Sequence, residues 1–413
     1  MTNRDIFSRI SIFVELLNMA EPFAHLSQAQ VLELIDRYYK GESVRSLLDT
    51  YKVDLPASRL VLHFPPEQSV NMLCRYCSNP MERLRSSRYS SGSNRPFSCL
   101  TCGHKSSGYC ACANCRQAAL AERDTVAKAA AQAASEYNLR QFAEHPPVSV
   151  ESLGFRNSVN LLAVMRAMKL SGEQSCVGPA LEAALPVCPT FEMIYRILSE
   201  LYQRGALIPI AGPRDSVASV THQIECGDLL SLQWALNCGD FSILELDSIL
   251  STRLGAQPVS ATDIGEAQLL WTEIAGEECR QIMVYLWSER HIKLPSYEKV
   301  DDTISSLLQD FSVSEVYFFF WIGAARTSDA IAKGSTNSFQ APYYALQVAR
   351  NKAAEVLQGK IERRRFNRNP RLTRSEISYV LFDTVLGIGE QGFTLRPNLE
   401  IKPRGESAWE ASP

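Results

Sequence analysis

Seven of the twelve cysteines in this 413-residue chain fall between Cys74 and Cys115. Cys74-Arg-Tyr-Cys77 and Cys99-Leu-Thr-Cys102 are C-x-x-C pairs with 21 residues between them. His104 follows, then a denser Cys110-Ala-Cys112-Ala-Asn-Cys115 group. A C-x-x-C turn lets two thiolates grip one ion, and two such turns complete a tetrahedral zinc site. Seven thiols and one imidazole make eight ligands, enough for two sites. The simplest pairing puts Cys74, Cys77, Cys99 and Cys102 on one ion and His104, Cys110, Cys112 and Cys115 on the other. An interleaved pairing of Cys74 and Cys77 with Cys112 and Cys115 is equally legal by spacing, and a single site with spare thiols is the conservative option. Protein ligands are plentiful enough to leave no open coordination position, so the metal reads as a staple for a segment too small to have its own core.

The function of such a segment would lie in what it displays. Arg83, Arg85, Arg88 and Arg95 lie between the two pairs, among Tyr89, Phe97 and a Ser/Gly-rich tip, opposed only by Glu82. A basic arm with interleaved aromatics suits phosphate backbones and stacked bases; solvation alone is the plainer reading. The whole chain carries a net charge of -3, which excludes a uniformly basic nucleic-acid coat, but the charge is unevenly placed. Residues 74–116 hold seven basic and one acidic side chain (net +6), residues 221–310 five basic and 15 acidic (net -10), and residues 333–374 ten basic and two acidic (net +8). Within the last block Arg363, Arg364 and Arg365 next to Phe366 and Asn367 form a second patch able to hold a nucleic-acid backbone, or else a solvated helix end. The acidic stretch reads as a solvated surface in preference to a face that docks on the basic arms.

The elements that must position these groups begin with a capping box, Ser27-Gln-Ala-Gln30. The helix after it places Val31, Leu34, Ile35, Tyr38 and Tyr39 on one face and ends at Gly41. A second helix holds Val44, Leu47 and Leu48, and a third runs from about Leu55 to His63. Three short helices with a tight second turn form a helix-turn-helix pattern. Its third helix would offer Ser58, Arg59 and His63 to a DNA groove. The segment Tyr38-Tyr-Lys-Gly-Glu-Ser-Val-Arg-Ser-Leu-Leu-Asp-Thr-Tyr-Lys-Val53 resembles the homeodomain-like helix-turn-helix of bacterial transposases and related mobile-element proteins. Joined to the C-x-x-C ribbon, residues 27–116 resemble mobile-element and defence-related DNA-binding proteins of prokaryotes. That resemblance implies DNA binding in a mobile-element, antiviral-defence or regulatory setting.

The fold class expected is mainly α and multidomain. A helix-turn-helix domain occupies 1–70, with residues 2–24 forming a supporting helix through Ile6, Ile10, Phe13, Leu16 and Leu17. A zinc ribbon with small β content occupies 71–116. Residues 117–147 form an Ala-rich connecting helix, broken by His145-Pro-Pro147. A winged-helix-like α+β domain is expected at 148–225, with strands at Ala206–Ile210 and Val217–Val220 forming the wing. An acidic mixed α/β region follows at 226–295, with a strand near Leu230–Leu236. A helical C-terminal domain spans 296–396, including a buried helix capped by Ser312-Val-Ser-Glu315 and a last helix capped by Thr373-Arg-Ser-Glu376. Residues 397–413 read as a flexible tail. The five scattered cysteines, Cys176, Cys188, Cys226, Cys238 and Cys279, read as buried thiols.

Several function classes find no support. The longest apolar run, Val316–Ile322, is seven residues, far short of the ~20 a spanning helix needs. The N-terminus meets charged residues at once, so export is not expected, and a cytoplasmic setting favours metal ligation over disulfides. Gly387-Ile-Gly-Glu-Gln-Gly392 fits a dinucleotide fingerprint literally but lacks the strand before and the helix after. No Ser/His/Asp set, H-E-x-x-H or paired carboxylates can be placed beside a nucleophile, so no catalytic residue is assigned. The sequence therefore reads as a non-catalytic, zinc-dependent DNA-binding protein, with a protein partner or second subunit engaged through the winged-helix and C-terminal regions. A protein-only assembly adaptor is the alternative.

Overall fold

The structure, a computed structural model, describes residues 21–90, 95–107, 109–168, 176–183, 185–213, 215–256 and 260–401. It divides into two units, Met1–Val126 and Ala127–Pro413. The described residues are mainly helical, with two small antiparallel sheets. The helix expected over residues 2–24 and its residues Ile6 to Leu17 lie outside the described residues.

In the first unit Ser27 caps helix α1 (Gln28–Tyr39). Its Oγ accepts the Gln30 N–H at 3.3 Å while its own N–H donates to Gln30 Oε1 at 2.8 Å, which is the reciprocal box expected from S-x-x-Q. Leu34, Ile35 and Tyr38 are buried, but Tyr39 is exposed and its hydroxyl donates to the Ser86 carbonyl at 2.6 Å. Gly41 leaves the helix at φ +97°, a conformation that favours glycine. Helix α2 (Val44–Thr50) follows. The third segment is a 3₁₀ turn at Ala57–His63 rather than an α-helix, with Pro56 at its N-cap. Phe23, Leu34, Ile35, Tyr38, Leu47, Leu60 and Phe64 are among the residues of the small core these pieces share.

Strands β1 (Glu67–Leu73) and β2 (Pro80–Arg83) then pair antiparallel, with an irregularity between Gln68 and Leu73. Single bridges from Glu82 to Ser98 and from Ser98 to Lys105 extend the ribbon. Helix α3 (Ala113–Glu144) contributes residues to both units and buries only Ala134 and Tyr137. Its alanines supply helix propensity without a burying face.

The second unit starts with helix α4 (Gly154–Ala167), strand β3 (Cys176–Val177), helix α5 (Phe191–Gln203) and strand β4 (Leu207–Ile210). Residues 217–220, expected as a wing strand, belong instead to helix α6 (Val217–Glu225). Val217, Val220 and Ile224 recur at helical spacing, and Val220 is buried in the core. The partner of β4 is β5 (Gln233–Leu236), paired Leu207 to Leu236 and Ile210 to Gln233, in a sheet ordered β3-β5-β4.

Helices α7 (Ile243–Gly255), α8 (Ala261–Ser288), α9 (Tyr297–Leu308), α10 (Val313–Ala332) and α11 (Ala341–Leu357) complete the bulk of this unit. One hydrophobic core, from Ala134 to Ile401, draws on all three segments delimited in the sequence at 148–225, 226–295 and 296–396. Ser312 and Glu315 form the expected capping box of α10. A Cβ on Gly323 would lie 2.6 Å from the Ala345 carbonyl oxygen, so α10 and α11 meet backbone to backbone there.

The expected Thr373–Glu376 box is absent. Helix α12 (Glu376–Tyr379) starts after Ser375, and its first N–H groups donate to the carbonyls of Pro186 and Val187 at 2.8 and 3.0 Å. Tertiary carbonyls thus satisfy the donors that a side-chain cap would otherwise take. The chain continues as a π turn at Val380–Val385. Gly392 of the rejected fingerprint lies against Phe382, where a Cβ would come within 2.5 Å of the ring. Of the tail, residues 397–401 are seated rather than free: Ile401 is buried, and Asn398 donates to the Gln309 carbonyl at 2.6 Å.

Candidate metal centres and basic surfaces

The first C-x-x-C turn joins β1 to β2, the second follows the Glu82–Ser98 bridge, and their sulfurs converge. Cys74 and Cys99 are buried, and the ligand atoms of Cys74, Cys77, Cys99 and Cys102 lie within 4.8 Å of one another. Sulfur separations are 3.4 Å for Cys74–Cys102, 3.3 Å for Cys77–Cys99 and 3.8 Å for Cys77–Cys102. Four sulfurs about 2.3 Å from one ion at tetrahedral angles lie about 3.8 Å apart, whereas a disulfide needs about 2.05 Å. The spacing therefore suits a shared thiophilic ion. Backbone amides are already aimed at the sulfurs. Burial alone would raise the Cys99 thiol, but the amides of Cys102 and Thr101 and the Cys77 thiol bring it down to about 6.

His104, Cys110, Cys112 and Cys115 form a second group, again with ligand atoms within 4.8 Å. His104 Nδ1 is 3.3 Å from Cys115 Sγ, where an ion bound to both would put them about 3.5 Å apart. Cys110 accepts the Lys105 N–H at 3.1 Å, and the amides of Cys112 and Lys105 lead in bringing its thiol down to about 7. All eight candidate ligands are thus gathered as the simplest pairing had them, and Cys74 and Cys77 do not meet Cys112 and Cys115 in one tetrad. The donor sets, four sulfurs and three sulfurs with one nitrogen, fit zinc chemically.

Two residues inside the first knuckle were missed by spacing alone. Arg75 Nη2 and the Tyr76 hydroxyl donate to Cys115 Sγ at 3.3 and 3.4 Å, and Tyr76 sets its ring edge-on to His104 at 5.1 Å. A sulfur 40 positions away leaves no local signal for such a contact.

The basic residues divide by what they already hold. Ser58 and Arg59 are exposed on the 3₁₀ turn, His63 is half-buried, and Arg95 is exposed. Arg83 pairs with Glu67 at 2.9 Å and covers the Phe97 ring, and Arg85 donates to the Pro65 carbonyl at 3.1 Å. Arg88 donates to the carbonyls of Tyr38 and Glu42, each at 2.7 Å, and stacks on the Tyr38 and Tyr89 rings. Three of the four ribbon arginines therefore serve internal contacts.

In the second unit the basic block is largely a counter-ion strap. Arg363 and Arg365 reach the buried Glu315 at 3.2 and 3.9 Å, while Arg364 lies over Phe318. Arg368 pairs with the buried Glu278 at 3.0 Å, and Arg374 bonds Asp383. Part of the acidic stretch is accordingly matched within its own unit rather than left as a purely solvated face. In the winged-helix-like segment Arg196 reaches Glu273 at 3.7 Å and Arg204 is the C-cap residue of α5. Of the scattered cysteines Cys176, Cys188, Cys238 and Cys279 are buried, but Cys226 is exposed, with its sulfur 3.6 Å from the His222 ring.

Among the described residues no helix is long and apolar enough to cross a membrane. Comparison with models of known protein families, with curated proteins and with solved structures finds no match for this chain.

Proposed function

We propose that this chain is a non-catalytic, zinc-dependent DNA-binding protein, with a place in a prokaryotic mobile-element, phage-defence or regulatory system. The observation that carries the reading is the pair of ligand tetrads in the same unit as the helix-turn-helix-like segment. Zinc fixes the ribbon, and exposed Ser58, Arg59 and Arg95 supply contacts to the duplex. The winged-helix-like segment, which we read from α4, α5 and the β3-β5-β4 sheet, recruits a protein partner or second subunit.

The test is fluorescence anisotropy of a labelled duplex with zinc-loaded protein at two salt concentrations. Affinity falling steeply with salt supports the reading, because released counterions drive backbone binding. Absence of binding at low salt overturns it. Charge reversal belongs at Arg59 and Arg95, since Arg83, Arg85 and Arg88 carry structural contacts.

A second reading, a protein-only assembly adaptor, has its own observation. Leu73, Leu84 and Leu100 of the ribbon region are 58%, 60% and 72% exposed. Apolar side chains of that size on a small zinc module fit a protein surface better than a phosphate backbone. A zinc-loaded chain that binds no duplex at low salt, and that loses a co-purifying partner on polar substitution of all three, would favour this second role.

A further inference from the structure

Resting on the metal-binding reading, a difference between the two ligand groups carries a further step. The first group holds two sulfurs, on Cys74 and Cys99, that are each 1% exposed. In the second group all three cysteines are only half-buried, and a cavity of about 510 Å³ opens beside Cys110, Cys115 and His104. Cys77 and Cys102 of the first group are half-buried as well, but none of its sulfurs lines that cavity, so a chelator or competing ligand reaches the second group more readily than the first.

The second group also depends on the first for its shape. His104 is two residues beyond Cys102, and the turn between them is closed by the Gly103 N–H donating to the Cys99 carbonyl at 2.8 Å and the Cys99 N–H donating to the His104 carbonyl at 2.7 Å. Clamping Cys99 and Cys102 on one ion thus fixes where His104 can present its ring. Arg75 and Tyr76 sit between Cys74 and Cys77, and both donate to Cys115 Sγ. A divalent ion held by three thiolates and a neutral imidazole carries one net negative charge, which the Arg75 guanidinium offsets. Outer contacts of this kind orient metal ligands and hold the ion.

We propose that the two sites load in order. The four-cysteine site fills first, and the His104 site is an exchangeable one whose retention is set by Arg75 and Tyr76 as positioning residues. Ordered loading makes the second ion responsive to free zinc while the ribbon stays folded.

The test uses the full-length zinc-loaded chain mixed with excess 4-(2-pyridylazo)resorcinol, which reports released zinc by its absorbance. Release in two phases of one zinc each is expected. Arg75→Ala with Tyr76→Phe should quicken the fast phase at least ~10-fold and leave the slow phase unchanged. Cys112→Ser should keep one zinc per chain, whereas Cys99→Ser should keep none. Two zinc ions leaving in one phase, or a Cys99→Ser chain that still releases one zinc at the wild-type fast rate, would overturn the order. A fast phase unmoved by the Arg75/Tyr76 double variant would overturn their positioning role; Tyr76→Phe alone, which preserves the ring against His104, guards against misfolding as the cause. A wild-type chain that holds no zinc after loading and desalting defeats the metal-binding reading itself.

Discussion

Arg88 shows how a residue that looks like a ligand contact can be a fastener. Its guanidinium donates to two carbonyls near the C-terminal end of α1, those of Tyr38 and Glu42, and is held between two tyrosine rings. Truncation leaves those carbonyls without their charged donor, so Arg88→Ala should cost about 1–3 kcal/mol. Thermal unfolding of the first unit should register it, while Arg95→Ala should leave the midpoint within ~1 °C. An Arg88→Ala chain as stable as wild type would return Arg88 to the pool of free basic groups. The partners are 50 and 46 positions away in the chain, which is why spacing could identify Arg88 as basic but not as spoken for. Cysteines divide on the same ground. The candidate metal ligands were legible because chelation imposes short spacings, whereas burial of a lone thiol depends on the whole fold. Burial pushes the Cys238 thiol up to about 11 and Cys188 and Cys279 higher still. Maleimide labelling of the native zinc-loaded chain should therefore mark Cys226 and spare Cys176, Cys188, Cys238 and Cys279 until denaturant is added.

Capping chemistry was readable wherever the helix start is local. Ser27–Gln30 and Ser312–Glu315 both close as boxes, while Thr373–Glu376 fails because carbonyls from residues 186 and 187, distant in sequence, take the donors first. The third helix-turn-helix segment tightened to 3₁₀, and the wing strand became a helix, because short segments follow their packing more than their propensity. Glu315 is where a cap and the basic strap meet: it accepts from Ser312 and is reached by Arg363 and Arg365 while 1% exposed. Glu315→Ala leaves the buried Ser312 amide and hydroxyl without their acceptor, while Arg363 and Arg365, 44% and 54% exposed, can turn to water, so the cost should be about 2–4 kcal/mol. Glu315→Gln can still close the box and should cost at least about 1 kcal/mol less, a difference chemical denaturation resolves. A second pair joins α4 to α7, with Arg166 holding Asp247 at 2.7 Å. The Arg166 hydrogen bonds keep the Asp247 carboxyl below its ordinary value. Since the folded value is the lower one, the pair stabilises the fold above the ordinary Asp range near ~3.9 and stops doing so as pH falls through the depressed value. Asp247→Asn should therefore be less stable than wild type at pH 7, and the gap should close on acidification. A gap that widens toward low pH would contradict the pairing.

At the scale of the whole chain, the near-neutral total is a cancellation that occurs within units as well as between them. The acidic stretch 221–310 and the basic block 333–374 lie in one unit and meet through Arg368–Glu278 and Arg371–Glu289. The blocks were legible as charge; their pairing required the fold. The first unit also carries exposed basic groups that a duplex could use, Arg59 and Arg95, and it holds both candidate metal tetrads. Among the described residues its ribbon core has Cys74, Met81 and Cys99 as buried members, against a second-unit core that runs from Ala134 to Ile401. A segment whose buried residues are mostly metal ligands gains its folding energy from the ion, whereas the second core contains none of the eight candidate ligands. Chelation should then separate the two in calorimetry. With zinc removed, the transition assigned to the ribbon should be lost or fall by more than ~10 °C, and that of the second unit should move by less than ~2 °C. Re-addition of zinc at neutral pH should restore the first transition, and re-addition at pH 5 should restore it less well because protons compete for the ligands. Equal shifts in both transitions would show that the metal supports the entire chain rather than its N-terminal module, and would move the origin of zinc dependence away from the two tetrads.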